Sequence, residues 1–154
     1  MRLEIKVKGV KKALQSLKAL EKDLQEPFRE VIKGGGQLIR GEAIKSIQTG
    51  PKSGRTYEKY NPRRTHKASA PGQPPASDTG FLVNNIKRKI DSDKMGGEIA
   101  SRAFYSKFLE FGTSKMLPRP YMFPALEKNR QKILKRIEQA IKVAGQKSQT
   151  TGSK

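Results

Sequence analysis

Leu3, Ile5 and Val7 alternate with Arg2, Glu4, Lys6 and Lys8. A period of two is that of a strand with one buried face, so residues 2–8 are expected to form one. Gly9 ends the alternation. From Val10 the apolar residues step by three and four, through Leu14, Leu17, Leu20 and Leu24, with Lys11, Lys18 and Lys22 on the other side. Such spacing lays one stripe along a helix, expected over residues 11–24. Pro27 suits the first turn of a second helix, where its missing N–H costs nothing. Phe28, Val31, Ile32, Leu38, Ile39, Ala43 and Ile47 carry helical spacing to residue 48, interrupted by Gly34-Gly35-Gly36. Each glycine costs roughly 1 kcal/mol relative to alanine inside a helix. Close packing against another element, a hinge or a helix break would each account for them. A phosphate-binding loop would not, because no Gly-Lys-Ser/Thr follows at the required spacing.

The pattern resumes near residue 80. Asp78 or Thr79 can cap a short turn from Gly80 to Asn84. Ile86 to Asp91 reads as a strand, Lys94-Met95-Gly96-Gly97 as a turn, and Glu98 to Arg102 as the antiparallel partner. Phe104, Phe108 and Phe111 share a face of a short helix over 104–111. Pro118 and Pro120 fix an extended elbow. From Tyr121 or Pro124 a last helix is expected to reach Ala144, with Leu126, Ile133, Ile137, Ile141 and Ala144 as its stripe and Gly145 as its stop. A polar tail, 146–154, follows. The whole predicts one α+β domain over 1–145. A small, mainly antiparallel sheet from 2–8, 86–92 and 97–102 would be packed by two N-terminal helices and one long C-terminal helix.

Residues 49–80 break both periods. They hold five of the nine prolines and a basic set, Lys52, Arg55, Lys59, Arg63, Arg64 and Lys67, with Tyr57 and Tyr60 between. A connection of about 30 residues without regular structure is uncommon in a compact domain. It is either a solvated loop or an arm that orders on a partner, its tyrosines filling pockets. Arg55, Tyr57, Tyr60, Arg63, Arg64 and Lys67 are the candidate partner contacts. Nothing in the loop supports reading of specific bases.

Charge sharpens this. The 154 residues carry 33 Lys+Arg against 14 Asp+Glu, a formal net charge of +19, which favours acidic partners without choosing among them. No cysteine is present, which excludes disulfides, thiolate metal sites and a cysteine nucleophile. The N-terminus lacks the apolar run of a signal peptide, and no stretch approaches the roughly 20 apolar residues of a membrane span. No membrane partner is expected. His66, the single histidine, lies in the basic loop, where a catalytic base would need an orienting partner and an enclosed site; it reads as a solvated loop histidine. The acids are scattered or pair with lysines at helical spacing, as Glu138 does with Lys142. No metal or cofactor site and no catalytic residue is expected. Glu110, alone among Phe108, Leu109, Phe111 and Gly112, is the acid with a role: it either accepts hydrogen bonds at a helix end or pairs with Arg119. A buried, paired Glu110 would cost about 3–5 kcal/mol to remove. Glu110, Phe111, Gly112, Arg119 and Pro120 together form the candidate structural elbow.

Three segments carry a resemblance. They are Ser69-Ala-Pro-Gly-Gln-Pro-Pro-Ala-Ser-Asp-Thr-Gly80 with Leu82, then Tyr105 through Thr113, then Lys115-Met-Leu-Pro-Arg-Pro-Tyr-Met-Phe-Pro-Ala-Leu-Glu127. In combination they resemble the tail-component family of long-tailed double-stranded DNA phages, the "gene product ten" type, also described as neck or tail-completion proteins. The likeness covers residues 1–144; the triple glycine departs from the alanine-rich helix of that pattern. The resemblance implies a virion protein at the head–tail junction, assembled in the host bacterial cytoplasm. It would be a subunit of a hexameric ring around the DNA channel, joining head-completion proteins to the tail terminator or tail tube, with nonspecific DNA contact possible in the channel. A basic, sequence-nonspecific nucleic-acid-binding protein without a virion role is the alternative.

Overall fold

The computed structural model of the chain describes residues 10–91 and 96–151. The strand expected at 2–8 and the first half of the turn at 94–97 fall outside them. The described elements are α1 (Val10–Thr49), β1 (Thr56–Tyr60), β2 (Arg63–Lys67), α2 (Phe81–Asn84), β3 (Ile86–Asp91), β4 (Gly96–Ser101), α3 (Ser106–Phe111) and α4 (Met122–Thr151). The class is α+β, with two separate two-stranded antiparallel sheets.

The two helices expected at the N-terminus are one. α1 runs unbroken for 40 residues with Pro27 inside it. The physical reason is phase. Leu24, Phe28, Val31 and Ile32 continue a single stripe across the proline, so one face stays apolar on both sides. Pro27 still removes a backbone donor and crowds the preceding turn, a cost of about 3 kcal/mol that packing must offset. Pro27 faces α4, lining a groove together with its Ala140 and Val143.

α1 and α4 run antiparallel, and the glycines mark where they cross. A Cβ on Gly35 would sit 3.3 Å from the Ile133 side chain, and one on Gly34 would sit 2.8 Å from Arg136 Nη1. A Cβ on Gly36 would meet Arg88 Cδ at 2.9 Å, and Arg88 Nη1 donates to the carbonyl of Lys33 at 2.5 Å. Close approach of α4 and β3 to one turn of α1 therefore accounts for Gly35 and Gly36, and the helix is unbroken there.

β3 pairs with β4 from Ile86↔Ser101 to Asp91↔Gly96, antiparallel as expected, with Gly96 and Gly97 in the strand rather than in the turn. Arg40 Nε donates to the Ile86 carbonyl at 2.9 Å and ties this hairpin to α1. The core gathers Ala43 and Ile47 of α1, Leu82, Val83, Ile86, Ala103, Tyr121 and Ala125. Tyr121 is 2% exposed, and burial pushes its hydroxyl pKa up against the opposing hydrogen bonds with Ser101 and Ser106. The last helix also outruns expectation. α4 passes through Gly145 to Thr151, so part of the expected polar tail is helical. Gly145 is not among the glycines with positive φ, the conformation a helix-stopping glycine supplies.

Candidate assembly surface

Thr56–Tyr60 and Arg63–Lys67 pair antiparallel about a turn with a cis Asn61–Pro62 bond, so the segment expected to lack regular structure is in part a hairpin arm. Alternation sorts its side chains onto two faces. Tyr57, Lys59, Arg64 and His66 share one face, with Lys59 opposite Arg64 and Tyr57 opposite His66. Glu58, Tyr60, Arg63 and Thr65 share the other.

The first face turns towards Asp78. Lys59 Nζ hydrogen-bonds to Asp78, Arg64 Nη2 lies 3.0 Å from its Oδ1, and His66 Nδ1 lies 3.7 Å away. The hydrogen bond from Lys59, then the charges of Arg64, Lys59 and His66, hold the Asp78 carboxyl below its ordinary value despite partial burial. One carboxylate thus latches both strands to the body. The arm's root is fastened as well: Gly54 N–H donates to the Ala68 carbonyl at 2.8 Å, and Ala68 N–H to that of Arg55 at 3.0 Å.

The six candidate contact residues are therefore not one patch. Arg64 is drawn inward to Asp78. Arg55 stacks over the Tyr57 ring at 5.6 Å. Tyr60, Arg63 and Lys67 stand exposed on the outer side. Of the two turn caps the sequence offered, Asp78 and Thr79, it is the Thr79 hydroxyl that takes the N–H of Phe81, at 3.3 Å, while Asp78 serves as the latch. The acid lies 19 residues beyond Lys59, a separation that no local period reports.

The elbow is built around Glu110. Its Oε2 accepts from the N–H groups of Tyr121 and Met122, each at 3.0 Å, and its Oε1 from that of Phe123 at 2.8 Å. These are unpaired donors of the first turn of α4, and a carboxylate there also meets the positive end of the helix dipole. Of the two readings of Glu110, the geometry is that of the helix cap. Among the described residues no ion pair joins Glu110 to Arg119, so the removal cost argued for a stranded partner does not apply. Arg119 contributes through its backbone, whose N–H donates to the Leu109 carbonyl at 2.7 Å. Gly112 has φ 77°, and a Cβ there would strike the Met116 carbonyl oxygen at 2.7 Å, so this turn requires glycine twice over. Pro120 lines a groove with Pro74, Pro124 and Ala125. The Gly72 N–H donates to the Pro118 carbonyl at 2.9 Å, so the proline-rich strap after the hairpin is tied to the elbow.

Apolar surface collects beside this corner. Phe111 is 80% exposed and Phe123 63%, and both border an open groove of about 520 Å³ with Ile39, Ile99, Met122 and Leu126. Phe104 and Phe108, expected on a helix with Phe111, are exposed too, and α3 begins only at Ser106. Ser69, His66 and Asp78 line a common cavity, but no relay joins them: the Ser69 hydroxyl has no hydrogen-bond partner and His66 stands beyond hydrogen-bond length from Asp78. Among the described residues no group of three acids or histidines could hold a metal ion.

Residues 11–112 match the model of the family described as "Bacteriophage HK97-gp10, putative tail-component". No curated protein and no solved structure matches the chain.

Proposed function

This chain belongs to the HK97-gp10-like family of phage tail components, and from that premise we propose that it is a ring subunit at the head–tail junction, joining the tail tube to the head-completion proteins around the DNA channel. A tail component is a structural part of the virion, and that much follows from the family itself. The ring, its hexameric order, its position in the neck and its assembly in the host cytoplasm are the finer reading.

The observation that carries this reading is the latched hairpin. A two-stranded arm whose inner face is fixed by Asp78 presents Tyr60, Arg63 and Lys67 outward in a set orientation. An arm of this kind suits contact with a neighbouring protomer or ring: the arginine offers a planar fork to carboxylates and the tyrosine supplies apolar area. The exposed Phe111 and Phe123 beside the elbow add a surface of the sort that protein partners cover. Closure into a ring satisfies such head-to-tail contacts by symmetry.

Nonspecific nucleic-acid binding is the second reading, favoured by the net charge of +19. Nothing in the arm is built to read base edges, so DNA contact would be with phosphates.

The test is to replace Thr56–Lys67 by a two-residue Asn-Gly turn. Arg55 and Ala68 are already bridged, so a tight turn can close there. The body is expected to keep its helix content while heads and tails cease to join in a complementation assay. Infectious particles at normal yield would reduce the arm to a passive decoration and remove the main support for the reading.

A further inference from the structure

A cavity of about 210 Å³ lies where the base of the hairpin meets the elbow, with His66, Ser69, Asp78, Tyr105, Leu109 and Arg119 among its walls. Two polar groups in these walls are unsatisfied. Ser69 is 1% exposed and its hydroxyl makes no hydrogen bond. Arg119 is half-buried, its Nε is enclosed without an acceptor, and its guanidinium joins no ion pair among the described residues. Enclosed donors normally have partners, and a charged donor loses most without one.

Charge decides what fits. Asp78 is the acid in the wall, and Lys59, Arg64 and His66 already share it. The Arg119 guanidinium is left without a counter-charge. An anionic acceptor is the group that would satisfy the hydroxyl and neutralise the guanidinium together. The surroundings say what carries it. Phe81, 47% exposed, has its ring 6.1 Å from that of Tyr105, and Phe104, 81% exposed, stands edge-on to Tyr105 at 5.1 Å. Exposed aromatic rings beside a partly desolvated arginine have the composition of a protein-contact hot spot. A phosphate backbone would leave those rings uncovered.

We propose that this cavity receives a carboxylate presented by a neighbouring protein, held by the Arg119 guanidinium and the Ser69 hydroxyl, while Phe81 and Phe104 cover the apolar residue beside it. The assignment rests on the reading of the chain as an assembly protein only for where that neighbour is found. Binding is measured on the isolated full-length chain, so its failure is separate from that of the hairpin experiment.

The carboxylate can belong to an acidic side chain or to a chain end, and two probes separate these sources. One is acetyl-Leu-Glu-amide and the other is acetyl-Leu-Ala with a free C-terminus. The neutral acetyl-Leu-Gln-amide and inorganic phosphate are the controls. In NMR titrations, one or both acidic peptides are expected to move the amide resonances of Ser69 and Arg119 saturably, and the controls are not. Ser69→Ala should weaken binding about tenfold without lowering the melting temperature of the free protein, because the hydroxyl it removes has no partner. Arg119→Gln should weaken it at least as much, and Arg119→Lys, which keeps the charge but loses the fork, should also bind less tightly than wild type. The proposal is overturned if neither acidic peptide saturates, if the neutral peptide binds equally, if phosphate binds more tightly than both, or if wild type and Arg119→Lys bind alike.

Discussion

Glu110 shows how much one side chain can settle. Its two oxygens take three N–H groups at the start of α4. Glu110→Ala should lower stability by about 2 kcal/mol, between an ordinary cap and a set of charge-assisted bonds. Glu110→Gln, which keeps one acceptor, should lose less. Urea midpoints measure both, and an unchanged midpoint in Glu110→Ala would remove the carboxylate from the account of the corner. Sequence alone narrowed Glu110 to a cap or an ion pair, because an isolated acid before a proline elbow fits either. The choice needed three-dimensional distance. The glycines of α1 give a finer contrast. At Gly34 a new Cβ meets only the movable end of Arg136, so the helix preference of alanine should prevail and Gly34→Ala should stabilise by up to about 1 kcal/mol. At Gly35 the neighbour is the branched side chain of Ile133, and Gly35→Leu should destabilise by about 1–3 kcal/mol through overpacking. Thermal melts of the two variants should move in opposite directions.

At the scale of elements, legibility followed burial. β3 and β4 were readable because a Gly-rich turn signal stands between two short runs carrying Ile86, Ile90 and Ile99, and Ile86 enters the core. β1 and β2 are polar on both faces and write no period. Their signal was weaker: Thr and Tyr runs either side of an Asn-Pro pair, which read as loop chemistry. What holds them is Asp78, far along the chain. The latch therefore depends on pH, and the sign is fixed by the direction of the shift. Asp78 has a depressed pKa in the folded state, so its contribution is complete above the unfolded value of about 3.9 and is lost as pH falls through the lower folded value. Amide shifts of Lys59 and Arg64 should hold steady from neutral pH to about 4 and move together below it. Asp78→Asn should abolish that movement and leave the hairpin loosened at every pH. Hairpin shifts indifferent to both treatments would mean that the strands need no latch. α1 taught a complementary lesson. Pro27 is a strong local signal for a helix start, and it was overruled because the stripe on either side kept a common phase.

For the whole molecule, charge is the dominant quantity. A net charge of +19 is the excess left after every acid is counted, and charge alone does not show DNA recognition. In the arm Lys59 and Arg64 are occupied by Asp78, and Lys128 is held by Glu42, whose carboxyl is held low by that hydrogen bond. The assembly reading predicts weak, sequence-blind binding. Affinity for a random duplex should change by well under the roughly thousandfold between 50 and 200 mM salt that goes with six or more phosphate contacts. A filter-binding salt series measures the slope, and a steep one would favour the nucleic-acid reading over assembly. No helix among the described residues is long and apolar enough to cross a membrane.

The corner at Glu110 also acts as the fulcrum of a lever. α4 has 30 residues and so extends about 45 Å from that point. Each degree of rotation at the fulcrum carries the far end through about 0.8 Å, given that length. A tilt of a few degrees would move the tip by most of a side chain's width. The redundancy at the joint, with three bonds to one carboxylate, a glycine that admits no substitute and two prolines, works together with the packing along α1 to limit that angle. In the ring proposed above, neighbouring copies would have to agree on that angle, and each chain would fix it before any two of them meet.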